Sequence, residues 1–307
     1  MANRDKTVLI TGASTGIGEA CAMYLTRCGW RVFAGVRKKI DAEALTEKSF
    51  GSLTPVFLDV SDQEAIAVAA AEVQEMVGDL GLDALVNNAG IAVAGPLEFV
   101  PVDYLRRQLE VNVIGQIAVT QAFLPHLRRA QGRVILMGSV SGRCSLPLFG
   151  PYCASKFALE AIADALRLEL RPWGMHVAIV EPGATKTSIW GKGAAQNQVM
   201  LAGLPAKAGK LYGDMLRRLD EIVRHTSETA LPPTRIAKVV EHALTTHHPR
   251  ARYLIGGMGR VQLVLDALPT RVRDHVLATY VFNQQESTRH AHSPHHNPTC
   301  SFSSIVE

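Results

Sequence analysis

Tyr152 and Lys156, in the run Tyr152-Cys153-Ala154-Ser155-Lys156, carry side chains that can do proton chemistry together if a helix passes through them. Four residues apart on a helix, they share one face a single turn apart. A phenol with an ordinary pKa near ~10 is a poor acid or base at neutral pH. A nearby ammonium favours the phenolate and lowers that pKa, which makes Tyr152 a usable general acid or base. Placement decides the matter, because the same spacing on a solvated helix face does nothing. Ser139 ends the apolar run Val134–Met137 after one glycine, thirteen residues before Tyr152. A hydroxyl there can hold a substrate oxygen and stabilise charge developing on it.

A second cluster could bind phosphate. Thr11-Gly12-Ala13-Ser14-Thr15-Gly16-Ile17-Gly18 follows the apolar run Thr7–Ile10 and opens a helical pattern. Swinging a strand tightly into a helix needs bare backbone, and the helix N-terminus offers unpaired N–H groups to a pyrophosphate. Glycine serves both needs; the alternative is a glycine-rich turn without a ligand.

The elements that must position these residues alternate. Short runs rich in Val, Ile and Leu at Thr7–Ile10, Val32–Ala34, Pro55–Leu58, Ala84–Val86, Val134–Met137, Val177–Val180 and Tyr253–Ile255 read as strands buried on both faces. Helical patterns lie between them, clearest at Glu19–Cys28, Gln63–Val77, Tyr104–Arg129 and Tyr152–Arg171, the last stopped by Pro172-Trp173-Gly174. This predicts an α/β fold: a doubly wound, mostly seven-stranded parallel sheet flanked by helices, of Rossmann type. One catalytic domain over residues 1–259 is expected although length alone suggests about two. Residues 186–227 interrupt the rhythm with repeated glycines and the amphipathic Met215–Arg224, and read as a lid over the crevice or as a plain surface excursion. Residues 260–282 form an apolar helical extension, with Val261–Phe282 at helical spacing, and 283–307 read as a disordered polar tail.

Taken together, the motifs resemble those of the short-chain dehydrogenase/reductase family over residues from about 6 to 256. The glycine turn has the spacing of its single-domain members. Asp59-Val60 resembles the pair that meets the adenine ring, Asn87-Asn88-Ala89-Gly90 the segment behind the cofactor, and Pro182-Gly183-x-x-x-Thr187 the segment touching the nicotinamide carboxamide. The resemblance implies hydride transfer between a nicotinamide cofactor and a carbonyl or alcohol, with Asn112, Ser139, Tyr152 and Lys156 catalytic. Asn112 would hold a water linking the lysine to solvent; without the family, it reads as an ordinary polar residue in a helix. The cofactor-binding set implied is Gly12, Ser14, Thr15, Gly16, Ile17, Gly18, Arg37, Lys38, Asp59, Val60, Asn88, Ala89, Gly90, Val111, Tyr152, Lys156, Pro182, Gly183, Thr185 and Thr187. The stretches Phe33-Ala34-Gly35 and Ser155–Glu160 are similar to the steroid- and retinol-handling branch. Family members dimerise through the helices that correspond to Tyr104–Arg129 and Tyr152–Arg171, so a homodimer or homotetramer is implied. An isomerase or epimerase of this fold, or a dinucleotide-sensing protein, is the alternative; a sensor has no need of the Tyr152–Lys156 pair.

The cofactor choice turns on the end of the second run. An NAD-specific site places a carboxylate there for the ribose hydroxyl. Here Val36 is followed by Arg37, Lys38 and Lys39, which favours NADP(H), because a guanidinium pairs with phosphate bidentately. NAD(H) would be tolerated if those residues are only a solvated loop. Leu146, Phe149 and Trp190, with Val93, Ala94, Cys144, Pro147, Leu148 and Ile189, form an apolar wall for a small lipophilic substrate beside Ser139. No arginine stands in an obvious place to clamp a carboxylate, with Arg143 the one left open.

Composition excludes other classes. The 307 residues are 47% hydrophobic and 20% charged with a net charge of +4, too small and scattered for a nucleic-acid surface. The five cysteines show no ligand-spaced pair, which argues against a disulfide framework or a metal site and for a reducing compartment. The histidines of the tail, His290 to His296, fit a flexible polar end as well as a metal site. No signal segment or spanning run of ~18 apolar residues is read, so a cytoplasmic protein is expected, with membrane contact at most peripheral through 260–282.

Overall fold

The computed structural model describes residues 5–187, 199–256, 261 and 264–282. The chain forms two units, Met1–Ala267 and Leu268–Glu307. The first is built on seven strands: β1 (Thr7–Ile10), β2 (Arg31–Val36), β3 (Leu53–Phe57), β4 (Ala84–Asn87), β5 (Arg133–Met137), β6 (His176–Pro182) and β7 (Arg252–Ile255). All pair in parallel in the order β3-β2-β1-β4-β5-β6-β7. Winding reverses between β1 and β4, so their carboxyl ends frame a crevice.

The apolar runs are continuous because both sheet faces are covered. Val8 and Ile10 of β1 pack with α1 (Gly16–Arg27), α2 (Lys39–Lys48) and a helix over Pro233–Thr245; Leu9 packs on the opposite face with α3 (Gln63–Val77) and two further helices, Gly115–Ala130 and Gly150–Glu169. That alternation is the two-residue period of a strand. Each large apolar side chain so buried contributes roughly 1.5–3 kcal/mol relative to exposure.

Several sequence expectations need correction. Tyr104–Arg129 is not one regular helix: α4 (Val102–Leu109) passes through a π-helical turn at Glu110–Ile114 into α5 (Gly115–Ala130). The widened turn carries Asn112 into the interior, fully buried, where a regular helix would rotate it elsewhere. β3 ends at Phe57, which leaves Asp59 in the turn beyond it. Tyr152 lies in the first turn of α6 (Gly150–Glu169), which begins at Gly150 with Pro151 next to it.

The interrupting segment holds α7 (Ala206–Glu228), longer than the amphipathic stretch read from sequence. The chain also forms α8 (Pro233–Thr245), which together with α2 lies outside the helices expected from sequence. α2 is short and polar, whereas α8 carries Ile236, Ala237, Val240, Ala243 and Leu244 at legible helical spacing. The second unit contains α9 (Thr270–Phe282). The expected Val261–Phe282 pattern breaks at Leu268-Pro269, where the Pro269 carbonyl accepts from the Val272 and Arg273 N–H groups and starts a new helix. Among the described residues no helix is long and apolar enough to cross a membrane. The tail 283–307 lies outside the described residues.

Candidate active site

β5 and α6 bring the proton-handling residues together at the carboxyl edge of the sheet. Ser139 is extended and accepts at its Oγ from the Ser141 N–H at 3.1 Å, which fixes the turn following β5. Its hydroxyl hydrogen-bonds the Tyr152 side chain. Lys156, buried, donates from Nζ to the Met137 carbonyl at 2.7 Å and stands 5.7 Å from the centre of the Tyr152 ring.

The electrostatics differ from the sequence expectation that Lys156 lowers the Tyr152 pKa. Burial pushes the phenol up to about 12, with the Ser139 hydrogen bond pulling the other way. Lys156 is lowered by burial to about 8, against the attraction of Glu160. The cost of removing the phenolate from water outweighs the stabilisation that its neighbours offer. Tyr152 therefore holds its proton at neutral pH, ready to act as an acid.

Asn112 is tied on all sides. Its Oδ1 accepts from the Ile91 N–H at 2.8 Å, and its Nδ2 donates to the Ile91 carbonyl at 3.0 Å and to the Ser155 hydroxyl at 3.1 Å. That hydroxyl donates in turn to the Tyr152 carbonyl at 2.7 Å. Gln108, which the sequence did not single out, holds the same loop by accepting from the Val93 N–H at 2.7 Å and donating to the Ile91 carbonyl at 2.9 Å.

The glycine turn is locked to the loop after β4. Thr11 Oγ1 accepts from both the Asn88 and Ala89 N–H groups at 2.9 Å, and Asn88 Nδ2 donates to the Thr11 and Gly12 carbonyls at 2.9 and 3.2 Å. The glycine pattern by itself assigns Thr11 no role. A Cβ on Gly18 would strike the Gly12 carbonyl oxygen and Asn88 Nδ2, so only glycine fits. Gly12 and Gly16 have φ of 63° and 64°, conformations that side chains resist. A Cβ on Gly16 would stand 3.2 Å from Thr187 Cβ, which places the segment after β6 directly across from the turn. Within that segment the Gly183 N–H donates to the Ile255 carbonyl at 2.8 Å, and Thr185 turns its hydroxyl to the Gly183 carbonyl at 3.0 Å. Thr15 precedes α1, and Ile17 packs into the core.

Beyond β2 and β3 lies a cavity of about 360 Å³ bounded by Arg37, Asp59, Val111 and Ile91, and also by Arg106 and Arg107 of α4, which sequence reading missed. Arg37 stands 3.7 Å from Asp59. Asp59 accepts from the Ser61 N–H and hydroxyl at 3.0 and 2.7 Å. Burial raises its carboxyl, but these bonds and Arg37 outweigh that and hold it below its ordinary range. Lys38 is exposed and precedes α2. The cavity rim also carries Glu110, and Arg106 is paired with Asp103 at 2.8 Å; Arg37 and Arg107, the positive-φ turn and the N-terminus of α1 fit an adenosine phosphate and a pyrophosphate.

Near Tyr152, Phe149, Cys153 and Ala94 form a small apolar cluster with Leu146 and with Val223 from α7. The 94–100 loop is pinned to α7 by Tyr212, which donates to Glu98 at 2.9 Å and packs edge-on against Phe99. Leu148, beside this wall, has φ of 68°, and its carbonyl accepts from the Gly95 N–H at 2.7 Å. Arg143 pairs with the Glu181 carboxylate at 2.8 Å. Ile189 and Trp190 lie outside the described residues.

Comparison with known proteins gives consistent relatives. Residues 6–198 match the family model described as short chain dehydrogenase. The NADPH-dependent 3-dehydrocapnine reductase of Ornithobacterium rhinotracheale is 40% identical over 80% of this chain and 87% of its own length. Retinol dehydrogenase 16 of Mus musculus is 38% identical, covering 89% of this chain and 88% of its own. Among solved structures, an alcohol dehydrogenase from Thermococcus sibiricus complexed with 5-hydroxy-NADP superposes with a TM-score of 0.65 at 26% identity, over 82% of this chain and 96% of that one.

Proposed function

The chain belongs to the short chain dehydrogenase family, and on that premise we propose that it transfers a hydride between NADP(H) and a lipophilic carbonyl or secondary alcohol, with Tyr152 as general acid and base. The observation that carries the reading is the Ser139–Tyr152 hydroxyl pair with the Lys156 ammonium 5.7 Å from the phenol ring.

NADPH, when bound, supplies the hydride to the carbonyl carbon. The glycine turn would hold its pyrophosphate at the start of α1, and Arg37 and Arg107 favour its adenosine phosphate over the bare hydroxyl of NADH. In reduction, Tyr152 gives its proton to the substrate oxygen, and the Ser139 hydroxyl donates its single hydrogen bond to the charge developing there. Lys156, at about 8, is mostly protonated at pH 7, so a cation stands beside that phenolate as it forms. Oxidation runs the same transfer in reverse. The Phe149, Cys153, Ala94 and Val223 cluster offers apolar contact, which supports a lipophilic substrate. The names of the reductase and retinol dehydrogenase relatives agree with that class.

The test is NADPH and NADH oxidation with steroid, retinoid, aliphatic and quinone carbonyls. NADPH consumption with at least one lipophilic carbonyl is expected; its absence across the panel sinks the proposal. Tyr152→Phe should reduce kcat by about 10²–10⁴-fold with NADPH binding intact, and retention of more than about a tenth of kcat rules out its acid–base role.

A further inference from the structure

Behind the reacting residues lies a set of buried charges that the proton transfer does not use. Glu160 stands one turn beyond Lys156 on α6, and Glu181 sits on β6 just before Pro182. Their side chains are 11% and 1% exposed. Both reach the same two guanidinium groups. Arg143 donates to Glu181 from Nε at 3.0 Å and Nη2 at 2.8 Å, and that Nη2 is 3.9 Å from Glu160. Arg252, at the start of β7, donates to Glu160 at 3.1 Å, lies 3.7 Å from Glu181 and donates to Asp164 at 2.7 Å. Arg143 lies four residues after Ser139, and the turn between them rests on α6. A Cβ on Gly142 would stand 2.9 Å from the Lys156 carbonyl oxygen and 3.3 Å from Glu160 Cγ.

Two buried carboxylates on shared cations repel each other unless one keeps a proton. Glu160 Oε1 is buried and has no hydrogen-bond partner among the described residues. An ionised carboxylate can only accept, whereas a protonated one can donate from that oxygen. We propose that Glu160 is a positioning residue for Tyr152 and Lys156: it forms a proton-sharing carboxyl pair with Glu181 that fixes the Ser139 turn through Arg143, and once ionised it supports the Lys156 ammonium one turn away. The charged groups facing it are Lys156 and Asp164 on its own helix, Arg143 from the turn, Glu181 from β6 and Arg252 from β7. Burial and the Glu181 carboxylate push Glu160 up to about 7, with Arg143 and Arg252 opposing. Glu160 is also the group that raises Lys156 against the burial that lowers it.

The inference rests on the reading of Tyr152 and Lys156 as the reacting pair. Its test is Glu160→Gln followed over pH. Below about pH 6.5 the wild-type carboxyl is neutral like the amide, so kcat should agree within about twofold at pH 6. At pH 8.5 the variant should be slower by roughly tenfold, the factor that one pKa unit on Lys156 produces. An equal loss at both pH values, as a merely structural role would give, overturns the proposal. The second readout needs no turnover: a protonated-carboxyl infrared band in the wild-type protein at pH 6 should vanish in Glu160→Gln. If that variant does not fold, Glu181→Gln should shift the titration of the band to lower pH. A band that persists in the first variant, or titrates unchanged in the second, refutes the carboxyl pair, whereas turnover retained by Tyr152→Phe refutes the reading beneath it.

Discussion

Replacing Thr11 by valine keeps the shape of a fully buried side chain and removes one oxygen. That oxygen accepts from two backbone N–H groups, of Asn88 and Ala89, both at 2.9 Å. Each donor left without a partner costs about 1–3 kcal/mol, and Asn88 and Ala89 are only half-buried, so the lower part of that range applies: about 2–4 kcal/mol together. For a domain of this size that is a fall in Tm of roughly 5–15 °C. The Gly12 carbonyl, positioned by the same loop through Asn88 Nδ2, should also lose its register, and NADPH affinity should weaken by about tenfold. Thermal and urea unfolding, with fluorescence titration of NADPH, measure both. Thr11→Ser is the control: it keeps the acceptor and gives up one methyl group, about 0.8 kcal/mol. A valine variant within about 1 kcal/mol of wild type, or a serine variant equally damaged, would show that the two N–H groups find other partners and that the hydroxyl does not hold the loops together.

Further outcomes follow from the same geometry. Arg37→Asp sets a carboxylate facing Asp59 at the cavity rim, and kcat/KM for NADPH should fall by about 10–100-fold while that for NADH does not; an unchanged NADPH value removes Arg37 as the selector. Gly18→Ala pushes a methyl group into the Gly12 carbonyl and Asn88, and should cost about 1–3 kcal/mol together with most NADPH binding; normal stability and affinity would refute the close approach. Lys156→Met should abolish turnover yet raise Tm at pH 7. A lysine whose pKa is lowered to about 8 by burial penalises the folded state below that pH, and the penalty fades as pH rises from about 8 towards its unfolded value near 10.5. A Tm difference independent of pH over that interval would contradict the burial argument.

Residues whose roles rest on local pattern were legible in the chain. Strand positions emerged from apolar runs of the right length, and β1 was read to the residue, because a strand buried on both faces needs little beyond its own composition. The glycine turn and the Tyr152–Lys156 spacing were legible for a similar reason: a tight strand-to-helix swing and a shared helix face depend on neighbours within a few positions. The π-helical turn at Glu110–Ile114 was not, since it is chosen by what Asn112 meets at Ile91 and Ser155, about 20 and 43 residues away.

The sequence by itself determined the alternation of strands and helices, the phosphate-binding turn and the identity of the proton-handling side chains. Tertiary structure alone decided their charge states and their partners. Tyr152 is pushed up rather than down, Arg37 meets Asp59 across a cavity shared with Arg106 and Arg107, and Arg143 pairs with Glu181. The physical reason is that periodicity is a short-range property of the chain. Desolvation and ion pairing are set by what the fold packs around a group, from residues about 20 to 90 positions distant.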